Sequence, residues 1–340
     1  MEHKKNNRVE EVQTDFSSYR PKMLAVSVSP HLVSSNTTSR IMLDVIIALL
    51  PALIAGCIIF GLNALLVSAV CVSVAVLSEL GFNAVCRREQ TVGDLSAVVT
   101  GLLLALNLPA NTPLWQAALG SFFAIIFVKC LFGGIGQNFA NPAITARIFL
   151  LISFSSLAKA AFPTVVDTAA SATPLAILKA GEGAMPSLLD LFLGVHGGAI
   201  GETSVLALTI GGAYLLIRKV ISWHTPVAFI GSALILTLAM SGGNWLASLQ
   251  YILSGGLFIG AFFMATDYAT TPTTPSGGFI FGLGCGLITV IIRFYGSYPE
   301  GVSFAILIMN ILTPYIDKLT ARRTFGADTG RGKGKEAAQK

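Results

Sequence analysis

Long apolar segments separated by short polar or glycine-rich connections occupy most of this chain. A helix needs roughly 20 predominantly apolar residues to cross a lipid bilayer, and ten segments approach that length. We therefore predict an all-α polytopic membrane protein with about ten transmembrane helices. The apolar segments fall near residues 41–61, 64–85, 94–108, 114–132, 141–158, 203–217, 224–240, 246–266, 277–295 and 301–317.

Three segments lack this apolar character and divide the chain. Residues 1–39 form a polar N-terminal arm, residues 159–202 form the one long loop, and residues 318–340 form a tail rich in glycine, lysine and arginine. The long loop separates a first membrane half, residues 40–158, from a second half, residues 203–317. Each half holds five apolar segments, and an odd number of crossings inverts the second half relative to the first, as in many transport folds.

A weak repeat is consistent with this division. Trp115 opens an apolar segment that ends at Asn141-Pro142, and Trp245 opens one that ends at Thr271-Pro272, with the same spacing from tryptophan to proline. We interpret the repeat as a trace of two inverted five-helix halves. Transport folds of this kind place their function at the interface between the halves.

The composition argues against an ordinary soluble domain and against a nucleic-acid-binding protein. Hydrophobic residues make up 54% of the 340 residues, charged residues make up 11%, and the mean hydropathy is +0.74. Soluble domains carry about 25% charged residues. The pI near 9.0 would suggest nucleic acid only if the basic residues clustered on a soluble face. They lie instead at the chain ends and between apolar segments, so we expect membrane lipid and no nucleic acid as a partner.

Basic residues outside the apolar segments gather in four places that share one side of the membrane if ten helices cross it. They occur in the N-terminal arm, at Arg87 and Arg88, at Arg218 and Lys219, and in the C-terminal tail. The opposite short connections, around Asn63 and at residues 107–113 and 241–245, have none, and the long loop balances Lys159 and Lys179 with four acidic residues. Lys and Arg in short loops stay on the cytoplasmic side of a membrane. Both termini are therefore predicted to be cytoplasmic, and the long loop is predicted to face the outside.

No metal, haem or nucleotide-hydrolysis site is predicted. The five cysteines are far apart in the sequence, so they form neither a CxxC metal motif nor a disulfide framework. The four histidines supply no pair of haem ligands within an apolar segment. No Walker motif is present.

Carboxylates within the apolar segments are the first candidates for a functional role. Asp44, Glu79 and Asp267 lie within or at the ends of such segments, where a charge is costly and usually faces a pathway or a partner. We take Asp44 and Glu79 first, and Asp267 after them, as candidates for an ion path. The alternative is an internal ion pair, or a side chain that reaches from a helix end to the interface. The basic residues at similar depth are Lys129, Arg147 and Arg293.

Glycine- and proline-rich segments interrupt the apolar pattern at residues 133–142 and 264–278. Irregular backbone at this depth persists only where protein or water satisfies its polar groups. Both segments can therefore offer carbonyls or helix N-termini to a ligand, and plain loops are the alternative. Residues 194–204, GVHGGAIGETS, indicate the start of the sixth helix, with the last three residues in capping positions.

Five motifs in one order resemble the family that contains the D subunit of the Rnf electron-transport complex and the B subunit of the sodium-pumping NADH:quinone reductase. The motifs are SPHL (29–32), FGGIGQNFANPA (132–143), SATPL (171–175), LGVHGGAIGETS (193–204) and MATDYATTP (264–272). The resemblance covers about residues 25–318. It implies a component of a bacterial inner-membrane oxidoreductase that relays electrons between ferredoxin and NAD and couples this transfer to the movement of Na⁺ or H⁺.

The resemblance also implies a covalent flavin. In the family, a flavin transferase attaches FMN through a phosphoester to a threonine hydroxyl of the outer loop, within a pattern of approximately Asp-x-x-Ser/Thr-Gly-Ala-Thr. Asp167, Ala172 and Thr173 match this pattern, whereas Ala170 and Ser171 depart from it. Thr173 is the implied acceptor, and family members can hold a non-covalent riboflavin in addition.

The partners that the resemblance implies are the other subunits of the Rnf complex (A, B, C, E and G), together with the flavin transferase. A channel or secondary transporter without a redox cofactor is the alternative, because inverted halves and broken helices suit it equally well. A purely structural membrane anchor would have neither a cofactor nor carboxylates within the membrane.

Overall fold

The computed structural model describes residues 37–154, 173–180, 185–296 and 300–321, and every regular element in these ranges is helical. The first half contains α1 (Thr38–Phe60), α2 (Leu62–Val85), α3 (Ser96–Leu106), α4 (Leu114–Phe123) and α5 (Pro142–Ser153). Two short helices follow, α6 (Pro174–Ala180) and α7 (Leu188–Leu193). The second half contains α8 (Val205–Ile217), α9 (His224–Met240), α10 (Trp245–Leu253), α11 (Leu257–Ile259), α12 (Pro275–Tyr295) and α13 (Val302–Thr320).

Each apolar segment that the sequence predicted contains a helix within its described residues, so the all-α membrane class is confirmed. Helices α1, α2, α12 and α13 are long and apolar enough to cross a bilayer, and α10 with α11 passes the same test as a bent pair. The remaining segments, α3, α4, α5, α8 and α9, are shorter apolar helices. The figure of about ten crossings therefore stays a prediction.

Packing between helices has a similar pattern in the two predicted halves. The second helix packs against the fourth in each half, α2 against α4 and α9 against α12, and α1 joins the halves by packing against α8. The Trp-to-Pro spacing does not support the division, however, because Trp115 and Trp245 open the fourth and eighth segments, which are four helices apart rather than five. The five-helix halves also stay a prediction.

Two helices depart from regular α geometry near the predicted interruptions. Helix α4 continues as a π-helix over Ala124–Cys130, and α11 continues as a π-helix over Gly260–Met264. A break at Ser254, Gly255 and Gly256 bends α10 from α11 by 64°. Gly255 has a φ of +71°, a conformation that is costly for residues with a side chain.

The two interrupted segments meet inside the molecule. The Asn141 side chain caps α5 by accepting hydrogen bonds from the Ala143 and Ile144 N–H groups, and its amide donates to the Met264 carbonyl at 3.4 Å. Asn310 of α13 bridges the segments when its amide is oriented to accept from the Asn141 N–H and to donate to the Thr270 carbonyl. Irregular backbone is thus satisfied by protein groups, as its position requires.

Candidate functional site

Asp44 lies near the start of α1 and forms an ion pair at one end of the helix bundle. Its carboxylate accepts a hydrogen bond from the Tyr214 hydroxyl at 2.9 Å and from Arg218 Nη2 at 3.1 Å. Tyr214 lies in the C-terminal part of α8, and Arg218 directly follows that helix. The Arg218 side chain is 49% exposed. Asp44 therefore forms an internal ion pair, which was the alternative to a role in an ion path.

Glu79 is paired with Lys129 in the interior. The Lys129 ammonium lies 2.8 Å from Glu79 Oε1, and both side chains are 2% exposed. Lys129, which lies in the π-helical part of α4, also donates to Ser96 Oγ at 2.6 Å, and Thr91 donates to the same Glu79 oxygen at 2.7 Å. Glu79 Oε2 is buried without a hydrogen-bond partner among the described residues.

Asp267 lies in the irregular segment that follows α11, and no basic side chain pairs with it among the described residues. Its carboxylate accepts a hydrogen bond from the Thr270 hydroxyl at 3.1 Å, and none of the ion pairs in the described part of the chain includes it. Burial raises the pKa of the Asp267 carboxyl above its ordinary value. Of the three carboxylates that the sequence identified, it is the one whose charge is not already matched.

A cavity of about 90 Å³ brings two of these sites together. Asp267 and Lys129 both line it, whereas the Asp44 side chain does not. Asn138 Oδ1, which belongs to another lining residue, is buried and has no hydrogen-bond partner in the described ranges. The polar lining groups include Ser96, Thr100, Lys129, Asn138, Asn141 and Asp267.

A second buried charge cluster surrounds the break between α10 and α11. Arg147 of α5 donates to Asn107 at 2.6 Å, to Glu202 at 2.5 Å, and to Glu300. The same nitrogen, Nη2, contacts both carboxylates. The sequence placed Arg147 at membrane depth and treated Glu202 as a capping residue, but it gave no sign of Glu300.

Glu202 is fully enclosed in this cluster, with 2% of its side chain exposed. Burial raises the pKa of the Glu202 carboxyl to about 8, an effect that Arg147 opposes and Glu300 reinforces. Ser204 rather than Glu202 caps α8, because its hydroxyl accepts from the Ala207 N–H. The predicted helix start is thus correct, but Glu202 has a different environment from the one predicted.

Arg293 of α12 satisfies the free carbonyls of the broken helix. Its guanidinium donates to the Tyr251 carbonyl at 2.5 Å, to the Ser254 carbonyl at 3.1 Å and to the Glu300 carbonyl at 3.1 Å. The last carbonyls of a helix have no partner within that helix, and here Arg293 replaces the missing donors. Glu202 lies on the other side of the break, beside Gly256.

Thr173 lies directly before α6. Its hydroxyl accepts a hydrogen bond from the Ala176 N–H at 3.2 Å, and its side chain is half-buried. Pro174 and Leu175 are buried, and Leu175 packs against Gly255 at the break in the helix. The other residues of the acceptor pattern, Asp167, Ala170, Ser171 and Ala172, lie outside the described residues.

Comparisons with known proteins match the whole membrane region. A family model described as the NQR2, RnfD, RnfE family matches residues 25–326. The D subunit of the Na⁺-translocating ferredoxin:NAD⁺ oxidoreductase complex of Acetobacterium woodii is 50% identical over 307 residues, which cover 89% of this chain and 95% of that protein. The D subunit of the proton-translocating ferredoxin:NAD⁺ oxidoreductase complex of Clostridium ljungdahlii is 41% identical, covering 90% and 97%.

A third relative extends the match to complexes whose names leave the ion open. The D subunit of the ion-translocating oxidoreductase complex of Stutzerimonas stutzeri is 37% identical over 346 residues, covering 89% of this chain and 96% of that protein. The family model and these identities along nearly the full length agree with the five motifs. The chain belongs to the NQR2, RnfD, RnfE family.

Proposed function

We propose that this chain is the D subunit of an Rnf-type ferredoxin:NAD⁺ oxidoreductase that moves Na⁺ or H⁺ across the bacterial inner membrane. The observation that carries the proposal is the near-complete match to relatives whose names describe this component. These relatives belong to multi-subunit complexes, so the chain would act with the other Rnf subunits (A, B, C, E and G). Its contribution would be to hold flavin and to couple electron transfer to ion movement.

Thr173 is the proposed attachment point for FMN, which a flavin transferase would add through a phosphoester. The support is the sequence pattern, together with the position of the hydroxyl before α6, where it is only half-buried. Leu175 packs against Gly255, so the helix that directly follows Thr173 is held against the break between α10 and α11. A covalent tether keeps the flavin site occupied regardless of free FMN.

FMN bound at Thr173 would supply the one- and two-electron chemistry that amino-acid side chains do not perform. The protein would fix its position and set the charges around it. In this chain those charges would be Arg147, Glu202 and Glu300, which cluster at the helix break against which Leu175 of α6 packs. A second flavin, non-covalent riboflavin, would be held in addition.

The proposed ion path uses the cavity that Asp267 and Lys129 line. Asp267 is the strongest candidate, because its carboxylate lacks a basic partner within the described ranges and faces other oxygen-bearing side chains. Glu79 borders the same region through Lys129. Asp44 is the weakest candidate, since Arg218 and Tyr214 already satisfy it.

The redox role can be tested with Thr173 variants in membranes that contain the whole complex. Thr173→Ala should abolish ferredoxin-dependent NAD⁺ reduction while the chain remains inserted, and Thr173→Ser should retain part of the activity because a hydroxyl remains. Thr168→Ala is the matched control and should behave as the native chain. Full activity in Thr173→Ala would contradict the proposal, and ion flux that needs no electron donor would favour a channel or secondary transporter.

The ion path can be tested in vesicles by comparing ion uptake with electron transfer. Asp267→Asn should cause the largest fall in ion uptake per electron transferred. Glu79→Gln should lower both ion uptake and electron transfer, because Lys129 loses its partner. Asp44→Asn should change ion uptake least. Normal uptake with normal ion dependence in all three variants would contradict the proposed path.

The proposed orientation has both termini in the cytoplasm and the segment with Thr173 outside. The basic residues of the N-terminal arm, of two short connections and of the C-terminal tail support it, because all of them then share one side. Reporter fusions after Arg88, Lys219 and Lys318 should report the cytoplasm, and a fusion at residues 176–186 should report the outside. A cytoplasmic signal from this last fusion would overturn the orientation.

A further inference from the structure

Four charged side chains surround the break between α10 and α11, and the two carboxylates share a single guanidinium. Glu202 and Glu300 both contact Arg147 Nη2, whereas Arg293 donates to backbone carbonyls of the break and its surroundings. Two carboxylates therefore compete for one guanidinium nitrogen. Glu202 is the enclosed member of the pair, with 2% of its side chain exposed, while the Glu300 side chain is 34% exposed.

We propose that Glu202 is a proton-exchange site, in which its carboxylate takes up and releases one proton beside Arg147 and Glu300. The proton would come from water through the exposed side of Glu300. Uptake converts the Glu202 carboxylate to a neutral acid and leaves Arg147 and Glu300 as a one-to-one ion pair. Release restores the present arrangement, in which one guanidinium serves two carboxylates.

The surroundings of Glu202 favour the neutral acid more strongly than the surroundings of an ordinary surface carboxylate do. The charged groups that face it are Arg147 from α5, Glu300 from the connection before α13, and Arg293 from α12. Burial and the like charge of Glu300 disfavour the ionised form, and together they outweigh Arg147, so the pKa of Glu202 is raised to about 8. A carboxyl in this range can change its protonation near physiological pH.

The position of Glu202 also connects the proton site to the helix break. Glu202 Oε1 lies 2.8 Å from the point that a Cβ on Gly256 would occupy, and Arg147 Nη1 lies 3.5 Å from that point. Gly255, the adjacent residue, packs against Leu175 of α6. A change in the charge of Glu202 would therefore be felt at the Gly255-Gly256 backbone, against which α6 packs.

One consequence rests on the proposed function. If reduction places negative charge on a flavin at Thr173, the same charge raises the proton affinity of Glu202, and a bound proton compensates it. The midpoint potential of that flavin would then depend on pH through Glu202. The proton site itself needs no flavin, so it can be tested separately.

The direct test is infrared spectroscopy of the purified full chain in detergent, labelled with isotopic glutamate, as a function of pH. The native chain should show a glutamic-acid C=O stretch that disappears with a midpoint near pH 8, the pKa of Glu202, and Glu202→Gln should lack it. Glu89→Gln, which removes an exposed carboxyl, is the matched control and should retain it. The same band in Glu202→Gln would overturn the proposal.

A second variant keeps the test decisive if Glu202→Gln does not fold. Glu300→Gln removes the like charge and leaves Arg147 to Glu202 alone, so the midpoint should fall by about 1 pH unit or more. An unchanged midpoint would contradict the assignment. In-gel flavin fluorescence of the same preparations reports separately on Thr173, because its absence would oppose the proposed function without affecting the infrared result.

Discussion

The contact between α1 and α8 depends on a glycine that leaves no room for a side chain. A Cβ added at Gly211 would lie 2.0 Å from the carbonyl oxygen of Ala48. A carbon and a carbonyl oxygen normally approach no closer than about 3.3 Å. Gly211→Ala therefore requires the two backbones to separate by roughly 1.3 Å, the difference between that limit and the present distance.

The cost of this separation should lie at the upper end of the range for overpacking. Inserting a methyl group into a well-packed interior costs about 1–3 kcal/mol, and the atom in the way is backbone, which cannot rotate aside. The same two helices carry Asp44 and its partners Tyr214 and Arg218, whose hydrogen bonds would also lengthen. We expect the free energy of unfolding to fall by about 3 kcal/mol.

Unfolding in mixed micelles, followed by the reactivity of buried thiols, can measure this change. Cys71, Cys130 and Cys285 are buried and should react with a maleimide only after unfolding. Gly231→Ala in α9 is the control, since nothing lies within 4 Å of the added Cβ and alanine favours a helix more than glycine does. A loss below about 0.5 kcal/mol in Gly211→Ala would refute the close packing of α1 and α8.

Three further predictions concern the charges and the helix break. Lys129→Met and Glu79→Gln should each lower the free energy of unfolding by about 3–5 kcal/mol. In a double-mutant cycle, the double variant should lose less than the sum of the two single losses. Additive losses would argue against the ion pair. Because the pKa of Glu202 is raised from 4.5 to about 8, its contribution to stability is complete below pH 4.5 and is lost as the pH rises through 8. Unfolding measured across that window should weaken by up to about 1.4 kcal/mol per pH unit, and Glu202→Gln should flatten the slope. Gly255→Ala should destabilise the fold more than Gly242→Ala, since both have positive φ but only the former meets Leu175, at 2.5 Å; equal thermal stability would contradict that contact.

The sequence predicted the long helices well because their apolar character is continuous. Helix α2 was expected over residues 64–85 and occupies Leu62–Val85. Helices α6 and α7 were not predicted, since they are short and lie in a loop whose residues show no apolar period. The capping box of Ser187 and Asp190 at the start of α7 was the one local signal that could have indicated a helix there.

The candidate site was predictable only as a set of residue types. Glu79 and Lys129 were both recognised as deep charges, but they are 50 residues apart, and no local pattern links them. Asp44 and Tyr214 are separated by 170 residues, so their contact depends on the packing of α1 against α8. Glu300 was missed because a carboxylate in a polar connection is indistinguishable in sequence from a solvent-exposed one.

The proposed redox role depends on covalent FMN at Thr173, and mass analysis of the native chain tests this attachment most directly. The chain should be produced with the flavin transferase, denatured, examined for flavin fluorescence in the gel, and digested with trypsin, which releases residues 160–179 as one peptide. We expect a fluorescent band and a peptide carrying FMN whose fragmentation places the FMN on Thr173 rather than on Thr168 or Ser171. A non-fluorescent band with an unmodified peptide, or FMN on another residue, would contradict it.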